Sequence, residues 1–181
     1  MKIYTRTGDD GTTGLFGGAR LSKSSPQVEA FGAVDELNAC LGVVRSQTPE
    51  PSVNEILTQV QAELFVVGAE LATVTGKEKT LRMSLVNADA IEELEKAIDR
   101  HEEPLAPLTT FILPSGSASG TSLHLARTIC RRAERDVLRW GHARSVLVKY
   151  LNRLSDLLFV LARYENFKKN QPETPWIPNQ G

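Results

Sequence analysis

Only two cysteines, Cys40 and Cys130, occur in 181 residues, too few for a disulfide framework. Both fall inside helical patterns, so they read as small buried hydrophobes in a reduced compartment. Histidine is scarce as well: none of the three has a Glu three positions before it. That removes the Glu-x-x-His pairs a ferritin-type metal bundle requires. No Cys/His metal spacing and no Ser/His/Asp set stands out, so the expected protein-held metal is none. No apolar run is long enough to span a bilayer. A net charge of −1 gives no field that would favour nucleic acid. Internal repeats are absent, and the length suits one domain with a sizeable core. Met1 runs straight into a polar, Gly-rich stretch, which predicts a cytoplasmic protein, although a processed organellar chain would look the same.

What the chain does have is arginine on one helix. In Thr121 to Trp140, TSLHLARTICRRAERDVLRW, the apolar positions Ala126, Cys130, Ala133, Val137 and Trp140 step by four and three. Arg127, Arg131 and Glu134 form a second face at i, i+4 and i+7, flanked by Arg132 and Arg135. The planar guanidinium fork suits phosphate and carboxylate. An exposed, salt-bridged face and an anion site on a rigid helix both fit this pattern.

The preceding chain adds to it. Residues 1–24 read as a non-helical Gly/Thr-rich segment with Lys23 near its end. Its glycines let backbone N–H groups turn inward on an anion. It lacks the Gly-Lys-Ser/Thr of a phosphate-binding P-loop, and a flexible N-terminal arm is the plain alternative. Ser25 and Pro26 open a helix to about Ser46 with an Ala30, Val34, Leu37, Leu41, Val44 stripe. Asp35 sits in its middle beside the small residues Gly32, Ala33 and Ala39. Mid-helix Asp is a mediocre helix former, so a partner is expected, and an Arg of another helix suits better than Arg45.

Ser52 and Glu55 predict a capping box for a second helix whose stripe runs from Val53 to Val74. Thr75 to Met83 reads as a loop. Asn87 caps a third helix to about Glu103, with Ile91, Leu94 and Ile98 inward and His101 on the surface. Thr109 to Pro114 is extended and carries Phe111, which either packs in the core or walls a ligand pocket beside the Arg face. A fifth helix from about Arg144 to Asn166 shows a Leu stripe, with Asn152, Arg153 and Asp156 on its polar edge. Residues 168–181 are expected to be loosely held. Five heptad-patterned helices over residues 25–167 predict an all-α, up-down bundle in a single domain, 1–181.

Three blocks, TRTGDDGTTGLFGG with Lys23, VEAFGAVDELNACLG, and FILPSGSASGTSLHLARTICRRAERD followed by VLVKYLNRLSDLLFVLAR, resemble the PduO-type ATP:cob(I)alamin adenosyltransferases in order and spacing. The resemblance covers almost the whole chain. It implies a ferritin-like five-helix bundle, a homotrimer with ATP between subunits, and transfer of the 5′-deoxyadenosyl group to cobalt. By this likeness Thr5, Arg6, Thr7, Gly8, Asp9, Gly11, Thr13 and Lys23 hold the triphosphate. Arg127, Arg131, Glu134, Asn152, Arg153 and Asp156 complete the nucleotide site, with Mg²⁺ carried by the phosphates. Asp35 pairs with Arg127 across the subunit boundary and lies at the corrinoid, and Phe111 displaces the lower axial ligand of cobalamin. A cob(II)alamin reductase and an enzyme receiving the product are the implied partners. Ser24 and Ser115 depart from an Asp and a Gly common in the family. A non-catalytic cobalamin-delivery module and a purely structural bundle are the rival readings.

Overall fold

A computed structural model describes residues 2–178 of the chain. Five helices carry the fold: α1 (Pro26–Ser46), α2 (Pro51–Leu71), α3 (Ala88–Glu102), α4 (Ala118–Trp140) and α5 (Ser145–Lys168). Two small antiparallel ribbons accompany them, β1 (Thr12–Gly14) with β2 (Arg20–Ser22) and β3 (Ile112–Leu113) with β4 (Thr174–Pro175). A 3₁₀ turn, Glu78–Thr80, lies in the loop after α2. The all-α bundle expected from the periodicity is therefore present. No described helix is long and apolar enough to cross a membrane.

The helices alternate in direction. The Glu50 N–H before α2 and the Ser119 hydroxyl at the start of α4 both donate to Glu165 near the end of α5, at 2.7 and 2.6 Å. His101 near the end of α3 meets Ser52 at the start of α2. One end of the bundle thus gathers the α1–α2 turn, the end of α3, the start of α4 and the end of α5. At the other end, Arg144 clamps Glu70 of α2 with a two-point ion pair (2.6 and 2.7 Å) and donates to the Val86 carbonyl. α1 packs on α2 and α4, α4 on α5, and α5 on α3.

Caps follow local chemistry. Ser25 accepts from the Val28 N–H with Pro26 in the first turn, Asn87 from Ala90, and Ser117 from Gly120. Gly141 ends α4 at φ 76°, a left-handed conformation that costs a side-chain-bearing residue more. The predicted stripes are buried: Ala30, Val34, Leu37, Leu41 and Val44 on α1, and Ala126, Cys130, Ala133 and Val137 on α4. Trp140 only packs against the margin of the core, and Cys40 is half-buried.

Four local expectations are corrected. The Ser52–Glu55 capping box does not form, because Pro51 already occupies the first turn and starts α2 from Glu50, which makes no side-chain cap. α2 stops at Leu71, and Val74 instead donates its N–H to the Phe16 carbonyl in a bridge to the N-terminal segment. His101 is buried, not superficial: it bonds the Ala97 carbonyl at 2.8 Å and packs edge-on against Tyr164. Finally, the described part of the tail is fastened. Arg163, 3% exposed, grips Glu173 at 2.6 Å, and β4 pairs with β3. Arg163 also donates to the Ala106 carbonyl at 2.7 Å, and removing Glu173 would leave this buried guanidinium without its counter-charge.

Candidate nucleotide and corrinoid site

Arg127 and Arg131, one turn apart on α4, line a cleft of about 290 Å³ with Ser155, Asp156 and Phe159 of α5 and Glu102 of α3. The Arg127 guanidinium lies over the Phe159 ring, 5.9 Å from its centroid, and its Nε is buried with no hydrogen-bond partner. Burial, and then the charge of Arg131, push the Arg127 pKa down. Two like charges, one of them short of a partner, make this cleft a place where an anion is favoured. Neither arginine forms an ion pair among the described residues. Their neighbours are paired: Arg132 with Glu36, Arg139 with Asp136, and Arg153 with both Glu95 and Asp156 at 2.9 Å. Asn152 donates to Glu134 at 3.4 Å, which joins α5 to the Arg face. The helix-four and helix-five residues singled out in the sequence therefore come together.

The N-terminal segment is shaped as a hairpin rather than an arm. Asp10 accepts from the Thr12 N–H and hydroxyl at 2.9 and 2.7 Å, bonds that lower its pKa. Arg20 ties the loop by donating to the Thr7 carbonyl and, through Nε, to the Thr12 hydroxyl at 3.1 Å. Gly8 packs so closely that a Cβ there would sit 3.2 Å from Lys23 Nζ and from the Thr12 carbonyl. The Thr5 and Thr7 hydroxyls share a bond, Arg6 is held at φ 61°, and Gly11 turns at φ 81°. Thr5, Arg6, Thr7, Asp9 and Lys23 are exposed and Thr13 is half-buried. This cradle sits beside the start of α1 and the end of α2. Among the described residues, no hydrogen bond, ion pair or common cleft joins it to Arg127 and Arg131.

Asp35 is also apart. It is exposed and lines an apolar groove of about 350 Å³ between α1 and α2, with Phe31, Gly32, Phe65, Gly68 and Ala72. Among the described residues it forms no ion pair, so the partner expected from its mid-helix position is not supplied by another helix of the same chain. Phe111 occupies the opposite end of the bundle from the Gly/Thr hairpin. It is 79% exposed, its carbonyl accepts from the Trp176 N–H at 2.8 Å, and its ring meets Trp176 edge-on at 6.5 Å. The core-packing alternative for Phe111 is thereby removed.

No group of three or more metal-ligating His, Cys, Asp or Glu side chains occurs among the described residues. The donor set suits phosphate better than a bare cation.

Sequence reasoning missed several residues. Arg20 closes the loop, Phe159 supports Arg127, and Trp176 backs Phe111. His124 is 3% exposed with both ring nitrogens unpartnered, packed against Phe159 one turn before Arg127. Only its i to i+3 spacing from Arg127 offered a clue, since nothing in the sequence distinguishes it from a core histidine.

The family model described as Cobalamin adenosyltransferase matches residues 3–165. Over 174 residues the chain is 43% identical to Corrinoid adenosyltransferase PduO of Citrobacter freundii, covering 94% of this chain and 52% of that one. It thus spans about half the length of the PduO relatives it matches. It is 44% identical over 186 residues to Corrinoid adenosyltransferase MMAB of Bos taurus, covering 98% and 77%. A phenylalanine-to-histidine variant of a PduO-type ATP:corrinoid adenosyltransferase from Lactobacillus reuteri, complexed with cobalamin and ATP, has the same fold. Its TM-score is 0.89 at 34% identity, with 97% and 96% of the two chains covered.

Proposed function

The chain belongs to the cobalamin adenosyltransferase family, and from that premise we propose that it transfers the 5′-deoxyadenosyl group of ATP to the cobalt of a reduced corrinoid. The supporting observation is the Arg127–Arg131 cleft, whose half-buried guanidinium lacks an anionic partner. In the reaction the Co(I) electron pair attacks C5′ of ATP. That pair forms the cobalt–carbon bond, the C5′–O bond breaks, triphosphate leaves with the C5′–O bonding electrons, and cobalt ends as Co(III).

The nucleophile is the substrate's, so the chain supplies position and charge. Arg127 and Arg131 face the growing negative charge of the triphosphate. The Gly8–Lys23 hairpin, with Thr5, Arg6, Thr7, Asp9, Gly11 and Thr13, wraps the phosphates. Glu134, Asn152, Arg153 and Asp156 hold the nucleoside. Mg²⁺ arrives on the phosphates. Phe111, held outward, excludes the lower axial ligand, and Asp35 borders the corrinoid.

The hairpin and Asp35 lie on surfaces separate from the Arg cleft of the same chain. A complete site therefore calls for residues of adjacent subunits, which favours the homotrimer with Asp35 of one copy against Arg127 of the next. Exposed Gly32 and Ala39 on α1 leave room for that approach. A cob(II)alamin reductase upstream, a cobalamin-dependent acceptor of the product, and a cytoplasmic setting complete the proposal. Triphosphate released in step with the cobalt–carbon product tests it against the delivery and structural readings.

A further inference from the structure

An exposed aromatic does its work only if its backbone is held, and Phe111 is held from two sides. On one side the tail pairs with it through β3 and β4. On the other, four residues along, the loop into α4 closes around Asn166 of α5, a side chain 2% exposed. Its amide Nδ2 donates to the Ser115 carbonyl at 2.8 Å. Its Oδ1 accepts from the Ser117 N–H at 2.9 Å and the Ser117 hydroxyl at 3.0 Å. One planar amide therefore brackets Gly116, a residue at φ 119°. A Cβ at Gly116, or at Gly120 one turn into α4, would overlap that amide. The same Ser117 hydroxyl caps α4 by accepting from the Gly120 N–H at 3.0 Å. The amide thus sets the loop's conformation and the start of the Arg-bearing helix together.

We propose that Asn166 is a positioning residue for the lower-ligand step, fixing through Ser115–Gly116–Ser117 the place from which Phe111 reaches the corrinoid. The proposal rests on the reading of Phe111 given above. Asn is suited because the site needs one donor and one acceptor in one plane; Asp supplies only acceptors, and a Ser115 carbonyl facing a carboxylate is repelled. Asn166 touches no reacting atom. Asn166 fixes only the first turn of α4, and Arg127 and Arg131 lie about two and three turns further along, so its loss should leave the nucleotide cleft intact and misplace the Phe111 segment.

The test compares Asn166→Asp, Gly116→Ala and Phe111→Ala with the unsubstituted full-length protein, below the melting temperature of each. Gly116→Ala disturbs the same contact from the loop side without altering α5. Three readouts are taken. They are ATP binding, transfer from ATP to chemically reduced cob(I)alamin, and the absorption change on loss of the lower ligand when cob(II)alamin binds with ATP present. The expected result is that Asn166→Asp and Gly116→Ala both lose about tenfold in the cob(II)alamin signal, the scale of one lost buried hydrogen bond. ATP binding stays within error, and cob(I)alamin transfer falls far less. A selective loss in Phe111→Ala with an unchanged signal in the other two overturns the role of Asn166. Equal losses in all three readouts for Asn166→Asp and Gly116→Ala overturn it too, since the amide would then serve only the fold. If Phe111→Ala itself shows no selective loss, the underlying reading of Phe111 fails first and carries this proposal with it.

Discussion

Replacing Phe111 by alanine should cost the fold about 1 kcal/mol and yet nearly abolish one of two activities. Phe111 is 79% exposed, so about one fifth of its ring is out of water. Full burial of a Phe side chain stabilises by roughly 1.5–3 kcal/mol, which makes this share about 0.3–0.6 kcal/mol. The edge-on contact with Trp176, 6.5 Å between centroids, lies near the outer limit of such pairs and adds about 0.5 kcal/mol. A core Phe→Ala substitution would instead cost about 3–5 kcal/mol. In a domain of this size 1 kcal/mol moves the melting temperature by about 2–4 °C. Phe111→Ala should therefore melt only a few degrees lower, where a core residue would lose about 6–20 °C. Transfer to cob(II)alamin supplied with a reductase should collapse, because a retained lower ligand makes Co(II) harder to reduce. Transfer to prepared cob(I)alamin, which lacks strong axial ligands, should survive better. A drop of more than about 10 °C together with equal losses in both assays would refute the reasoning and make Phe111 a packing residue.

Arg131→Lys keeps the charge but not the fork and should lose roughly 2–4 kcal/mol of transition-state stabilisation; unchanged kcat/KM would make Arg131 mere surface charge. Asp35→Ala should leave the single chain's stability nearly untouched, since Asp35 is exposed and forms no ion pair among the described residues, while weakening the proposed trimer by roughly 3–5 kcal/mol through loss of the proposed desolvated pair with Arg127. Light scattering reads this directly, and a stable monomer of the unsubstituted protein contradicts the assembly. Burial, and then Arg127, lower the pKa of His124 below 6.5, with Glu173 opposing them. The unfolded chain then takes up a proton near pH 6.5 that the folded one refuses, so stability is full above that pH and falls below it by up to about 1.4 kcal/mol per pH unit. His124→Leu should flatten this decline in melting curves between about pH 7.5 and 5.5, and an unchanged slope would place the acid sensitivity elsewhere.

Helical periodicity made the five helices legible, because each buries one stripe of small and aliphatic residues. The α4 arginines were legible for a related reason: a rigid helix turns i, i+4 and i+7 into one face. What escaped was long-range. Pro51 displaced the cap by two residues, from Ser52 to Glu50, a competition between two valid start signals. His101 and the tail were misjudged because their partners, Tyr164 and Arg163, lie far along the chain and no local pattern announces them. Arg20, Phe159 and Asn166 escaped likewise, since each acts through residues at least eight positions away. For Asp35 its own helix showed only that no partner lies there, because the groove it lines is completed by α2, far along the chain.

The most direct measurement is an anaerobic single-turnover reaction of the full-length protein with ATP, Mg²⁺ and chemically reduced cob(I)alamin. Absorbance follows the cobalt–carbon product, and triphosphate is quantified in the same sample. The account predicts both products in equal amounts, with Arg131→Lys slowing the two together. ATP bound without any cobalt–carbon product, or triphosphate released without it, would contradict the account.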